Sequence, residues 1–399
     1  VSRTSDVVVV GAGPAGAATA ILLAEHGFAV TVLERGPRAR PKICGEYLSP
    51  EGGRVLDRLG VLKAVDAGGA VALAGMRITA PDGTVLDARY GDVGGFRPYC
   101  GHAIGVSRAA LDGALLDRLR ALPVELGEGV RVTDLVVEPG RVAGVIGVDA
   151  AGGRVEARAP IVVAADGRAS VIAHRLGCRR PHRLERMALV TYVEGVPDCR
   201  DVGEIFVDPP DYAILNPLAP ERINLSLVVP LAHAVPWRAR LDDFFVARVK
   251  HLPHLARRLA GAVRVAPVAS MGPLAYRVQA PREGGVLFVG DAAGFYDPFT
   301  GEGIFTALRS AELAAETIAG ALRAGDVSAA ALSGYERARQ AAFADKARLT
   351  RLLQTLIARR RLANLAARWL AARPRVLAAL LGVIGDYVSP RALPRLLLS

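Results

Sequence analysis

Residues 6–34 hold the pattern that most restricts what this chain can become. A short β-branched run, Asp6-Val7-Val8-Val9-Val10, is followed by Gly11-Ala12-Gly13-Pro14-Ala15-Gly16, and a helical stretch from Ala15 to His26 then ends at Gly27. A second apolar run, Ala29 to Leu33, follows, with Glu34 at its end. An uninterrupted apolar run of this length suits a parallel strand buried on both faces. Strand, tight turn, helix and strand together form a right-handed βαβ unit. Within the turn, Gly11 permits the sharp bend, Gly13 lets the backbone approach a pyrophosphate, and Gly16 lets the helix pack close. The helix N-terminus then faces the phosphates, and Glu34 is placed to accept hydrogen bonds from a ribose. A carboxylate there repels a 2′-phosphate, so the tightly held nucleotide is not NADP.

Two distant segments fit the same cradle. In Val162-Val163-Ala164-Ala165-Asp166-Gly167 a buried strand runs into an Asp-Gly turn, with Ser170 as a cap for the next helix. In Leu287-Phe288-Val289-Gly290-Asp291 another strand ends with Asp291 at its C-terminal edge, where open α/β sheets bind ligands. The chain continues through Asp297-Pro298-Phe299-Thr300-Gly301-Glu302-Gly303-Ile304, so Gly301 and Gly303 open a helix aimed back at the crevice. That arrangement suits a carboxylate on a ribityl chain and a helix start that stabilises a reduced flavin anion. The expected cofactor is FAD. No second dinucleotide fingerprint is present, so NAD(P)H, as electron donor, is expected to bind transiently.

The segments, in this order, resemble the p-hydroxybenzoate-hydroxylase-type FAD-dependent oxidoreductases. Lys42-Ile43-Cys44-Gly45-Glu46 and the run GDAAGFYDPFTGEGI at 290–304 are most similar to the geranylgeranyl reductase family within that superfamily. Hydroxylases of the superfamily usually carry a His after GDAA and lack the Cys-Gly-Glu. The resemblance covers residues 5 to 325. It implies FAD contacts from Ala15, Glu34, Cys44, Gly45, Arg108, Asp291, Gly303 and Ile304, with backbone near Val132 meeting the adenine. It implies that Cys44 lies beside the isoalloxazine, as a thiol that tunes the flavin, limits access to it or donates a proton. Glu46 is a candidate general acid, against the plainer reading of a solvated loop carboxylate. In the substrate region Tyr212 and Asn216 stand where reductases of the family have an aromatic-rich strand, and Asn224 follows on the next strand. With an aliphatic residue at the Trp position, the pocket wall differs from that of a geranylgeranyl reductase.

The expected fold is α/β, with a Rossmann-like FAD-binding domain of discontinuous segments (1–70, 101–183, 276–327) that carries a β-meander at 130–158. An antiparallel-sheet substrate domain (71–100, 184–275) and a C-terminal helical region (328–399) complete it. The main functional expectation is a reductase or dehydrogenase passing a hydride between flavin N5 and an apolar, isoprenoid or polyketide-like substrate. One alternative is a flavin-hydroperoxide monooxygenase acting on an aromatic or polyketide substrate, and another is a catalytically silent lipid- or membrane-binding module.

Composition enters through charge and cysteine. The four cysteines form no CxxC pair and no zinc spacing, so reduced thiols, a cytoplasmic location and no metal are expected. Of the net +11, +10 falls in the last 54 residues, where eleven basic side chains face Asp386 alone. Such a tail means an anionic membrane surface or ordinary solvated arginines, and the absence of any base-stacking module argues against nucleic acid.

Overall fold

The computed structural model describes residues 2–36, 42–199, 201–219 and 221–396. Its centre is a five-stranded parallel sheet in the order Val286–Phe288, Ile161–Ala164, Val7–Val10, Val30–Glu34, Val124–Glu128. Alternate residues of these strands enter different cores, which is why the runs are apolar throughout. Val7, Val9, Ile161 and Val163 meet the helices Pro14–Glu25, Arg108–Arg120 and Gly303–Ala324. Val8, Val10, Val162 and Phe288 meet the meander Arg131–Glu138, Arg141–Val148 and Arg154–Arg158 on the other face. The chain also begins earlier than the sequence pattern suggested, since Ser2–Thr4 adds a parallel strand to the meander through Arg154–Arg158.

The second large layer is an eight-stranded sheet containing Arg186–Glu194, Val202–Asp208, Asp211–Pro217, Ile223–Pro230 and the ribbon Gly75–Thr79 with Val85–Arg89. One of its faces packs on the helices Leu241–Lys250 and Pro253–Arg258 through Phe244, Phe245 and Leu255. The other carries Val190, Ile214 and Val228 toward the FAD-binding layer and is roofed by Leu377, Leu381 and Ile384 of the C-terminal helices. Those helices span Ala329–Ile357, Arg360–Ala371 and Pro374–Ile384. The C-terminal region is thus a brace over the substrate sheet, and no described helix is long and apolar enough to cross a membrane.

Candidate active site

One cavity of about 1090 Å³ runs from the glycine turn, between the two large sheets, to the substrate face. Its shape follows from the turn. A Cβ on Gly16 would sit 1.9 Å from the Gly11 carbonyl oxygen, so the helix lies against the turn and only glycine fits there. Gly11 takes φ +99°, a conformation that disfavours L side chains. Gly13 is different: a Cβ there would meet nothing nearer than Lys42 Nζ at 3.9 Å and Arg108 Nη2 at 4.0 Å. The turn therefore faces open, cation-lined space, as a pyrophosphate requires.

The two cations share one anchor. Asp112, 1 % exposed, accepts from Lys42 Nζ at 2.7 Å and from Arg108 Nε at 3.0 Å, which leaves the trio with a net positive charge toward the turn. Neither Lys42 nor Asp112 stood among the expected site residues. The four-residue offset between Arg108 and Asp112 on one helix was the available signal. Burial works against the Arg108 charge, but the Asp112 carboxylate more than offsets it, and its pKa is raised.

At the nucleotide end, both oxygens of Glu34 accept backbone N–H groups, from Ala12 at 2.8 Å and Gly36 at 2.9 Å. The carboxylate is thereby fixed at the cavity wall beside Val132. Asp166 accepts from Val171 N at 2.8 Å, at the start of the short helix that Ser170 caps, while its buried Oδ1 has no hydrogen-bond partner among the described residues. Gly167, Asp291, Pro298, Gly301, Gly303 and Ile304 also line the cavity, and Gly16 supports it from behind. Burial raises the Asp291 pKa against the lowering influence of Arg168 and Arg108. An open glycine turn under two cations, an acid at the ribose position and a helix start opposite fit FAD along the whole length of the cleft.

The Cys44–Glu46 turn closes the cleft over the substrate sheet. Asn216 and Asn224 are directly opposite each other on neighbouring strands. Asn216 Nδ2 donates to the Gly45 carbonyl at 2.6 Å, and Asn224 Nδ2 donates to the Cys44 carbonyl at 2.9 Å. Asn224 also donates to Glu46 Oε2 at 2.9 Å, and Arg108 N donates to Glu46 Oε1 at 2.8 Å. Glu46 is thus no solvated loop carboxylate: it is 1 % exposed, sits at φ +55° and fastens two layers together. Burial raises its pKa, opposed by the bonds from Arg108, Asn224 and Tyr192. Burial likewise raises the Cys44 thiol, which keeps it protonated.

One further expectation needs correcting. Tyr212 does not line the cavity. It lies behind the wall, donating to Asp297 Oδ1 at 2.6 Å and meeting the lining residue Phe299 edge-on. Asn216 does line the cavity: its Nδ2 is committed to the Gly45 carbonyl, while its buried Oδ1 has no hydrogen-bond partner among the described residues. The remaining substrate-side lining is hydrocarbon from Met76, Val190, Ile214, Val228, Leu274 and Phe299, with Ser226 as its hydroxyl.

A family model described as FAD binding domain matches residues 4–349. Digeranylgeranylglycerophospholipid reductase 2 of Methanopyrus kandleri is 31 % identical over 321 residues, covering 79 % of this chain and 76 % of that protein. The 6-methylpretetramide 4-monooxygenase of Streptomyces rimosus is 37 % identical over 175 residues, covering 43 % and 41 %. The solved structure of a flavin-dependent brominase shares the fold with TM-score 0.85 at 21 % identity, over 99 % of this chain and 98 % of that one. Reductase, oxygenase and halogenase relatives thus stand side by side, and the narrower geranylgeranyl reductase assignment is not favoured among them.

Proposed function

The chain belongs to the FAD binding domain family and is an FAD-dependent oxidoreductase, and on that premise we propose that it is a monooxygenase of an uncharged, apolar aromatic or polyketide-like substrate. When bound, FAD supplies electron transfer and, once reduced, activation of dioxygen. The residues of the chain do the rest. Lys42 and Arg108, ordered by Asp112, hold the phosphates, and Glu34 orients the ribose. The helix starting at Gly303 offers its free N–H groups to negative charge on the ring. The Asn216–Asn224 pair holds the Cys44–Glu46 turn as a fixed wall.

The observation that carries the reading is the hydrocarbon lining of the substrate end, which is continuous with the cofactor cleft. Such a wall disfavours water where reduced flavin would meet dioxygen, and Arg168, which also lines the cavity, is held by the Pro273 and Leu274 carbonyls rather than left for an ionic substrate. Ser226 Oγ donates to Asn224 Oδ1 at 2.8 Å, so its lone pairs are left to accept from a substrate hydroxyl. Glu46 is held at both oxygens, by Arg108 N and Asn224 Nδ2, so its carboxyl fastens the turn to the substrate sheet rather than facing a substrate freely, which argues against the general-acid role that a reductase would give it. One observation favours reduction instead: the protonated Cys44 thiol at the cavity wall, in a chain 31 % identical to a lipid reductase. Electrons are proposed to come from transiently bound NAD(P)H.

The test is turnover of a panel of hydroxylated tricyclic aromatics under labelled dioxygen with NADPH and NADH. The proposal expects substrate-stimulated oxygen consumption and one labelled oxygen atom in the product. Turnover under argon to a product carrying two extra hydrogens would establish the reductase reading in its place.

A further inference from the structure

Core logic puts large apolar side chains inside and leaves small or polar ones to the surface. The helix Arg360–Ala371 inverts this. It buries Ala363 and Ala367 against the substrate layer, yet leaves Leu365 66 % and Trp369 44 % exposed. Leu365 and Trp369 lie four residues apart and so share one face, opposite the two alanines. Among the described residues, the only exposed leucines are Leu365 and Leu352, and the only exposed tryptophan is Trp369. All three belong to the two helices that carry much of the basic tail.

The cations around this stripe complete the pattern. Arg361 precedes Leu365 by one turn, and the Arg373 guanidinium stacks on Trp369 at 4.5 Å. Arg359, Arg361 and Arg373 are exposed and make no ion pair among the described residues. Arg360 and Arg368, by contrast, pair with Asp208 and Asp82 and so hold the helix on the substrate sheet. One side of the helix is thus docked by alanines and salt bridges, and the other presents Leu and Trp among free guanidiniums.

We propose that this face is a peripheral docking surface for an anionic lipid bilayer. Guanidiniums meet the phosphate headgroups while Leu365 and Trp369 enter the headgroup–acyl boundary, the position that interfacial helices give to such side chains. Charge disfavours a second copy of the chain as occupant, because a two-fold contact would set this basic patch against the same basic patch. The helix lies in the interface plane and does not span it.

The experiment is flotation of the 399-residue chain with vesicles of phosphatidylcholine, alone or mixed equally with phosphatidylglycerol. Emission of Trp369 is read in a Trp237→Phe background, because the chain has only these two tryptophans. The proposal expects binding to the mixed vesicles only, a blue shift of Trp369, and release at about 1 M salt. Removing one arginine, as in Arg361→Gln, should weaken binding about fivefold. The pair Leu365→Ser with Trp369→Ser should weaken it at least tenfold while flavin content and thermal midpoint stay unchanged. No binding at low salt, equal binding to neutral vesicles, or full binding by the double variant would each overturn the proposal. So would capture of an acidic protein by this face without vesicle binding.

Discussion

At the residue scale the site depends on a few buried polar contacts whose loss is costly. Asn224 satisfies the Cys44 carbonyl and Glu46 Oε2 together. Replacing it with Ala strands both acceptors, at about 1–3 kcal/mol for each unsatisfied group. Because the strained turn lines the cofactor cleft, Asn224→Ala should weaken FAD binding at least tenfold, measured by flavin fluorescence titration. Asp297 gives a second test. Burial raises its carboxyl from 3.8 to about 6, opposed by the Tyr212 hydroxyl, Arg186 and the Phe299 amide. A carboxyl raised on folding binds its proton more tightly in the native state, so its contribution is present below pH 3.8 and lost as pH rises through about 6. Asp297→Asn removes that loss. The stability of the variant relative to the parent should climb across this window, by up to about 3 kcal/mol, and level off above it. Chemical denaturation at a series of pH values checks this, and a flat difference would refute it.

The same scale shows where sequence reading reached its limit. The cofactor residues were legible because each is tied to a strand end or a glycine turn, features with their own local signature. Glu46 was visible as a residue, but its burial depends on Asn224, which lies 178 positions away. Tyr212 was placed on the correct strand, yet whether it meets the cavity or Asp297 behind it depends on the loop that carries Asp297 and Phe299.

At the element scale, the parallel strands, the helix capped by Ser107 and the helix opened by Gly303 follow from local pattern. The pairing of the ribbon Gly75–Thr79 with Val202–Asp208, and the short strand Ser2–Thr4, do not, since both are set by partners far along the chain. The glycine turn allows a sharp contrast between two neighbouring glycines. Gly16→Ala would drive a methyl into the Gly11 carbonyl at 1.9 Å and against Ala165 Cβ at 2.9 Å. The first helix must then lift from the sheet, and the variant should be recovered mostly insoluble or melt many degrees lower. A soluble Gly16→Ala protein with parental thermal midpoint would contradict the packing described.

At the scale of the whole molecule, the C-terminal helices explain how a basic tail can be structural on one side and exposed on the other. Gln354 donates to Asp297 Oδ1 at 2.6 Å, and Lys346 Nζ reaches the Ile384 carbonyl at 3.0 Å and Asp386 Oδ1 at 2.5 Å. The first contact ties the tail to the loop before the Gly303 helix, and the Lys346 contacts fasten the tail's own helices to one another. The brace was unreadable from charge alone, because charge counts do not show which arginines find a carboxylate.

The account rests on the cleft over the glycine turn being the seat of FAD, and Gly13 isolates that claim. Its backbone is extended at φ −72° and ψ −178°, a conformation open to any residue, and a Cβ there meets nothing nearer than the ends of Lys42 and Arg108 at 3.9 and 4.0 Å. Gly13→Val should therefore fold, losing about 1 kcal/mol from the poorer helix cap, while its side chain occupies the pyrophosphate position. The visible spectrum of the two purified proteins after incubation with FAD decides the matter. The account predicts a yellow parent with one FAD per chain and a folded, colourless Gly13→Val. A variant that holds FAD as the parent does, or a parent that takes up none, would contradict it.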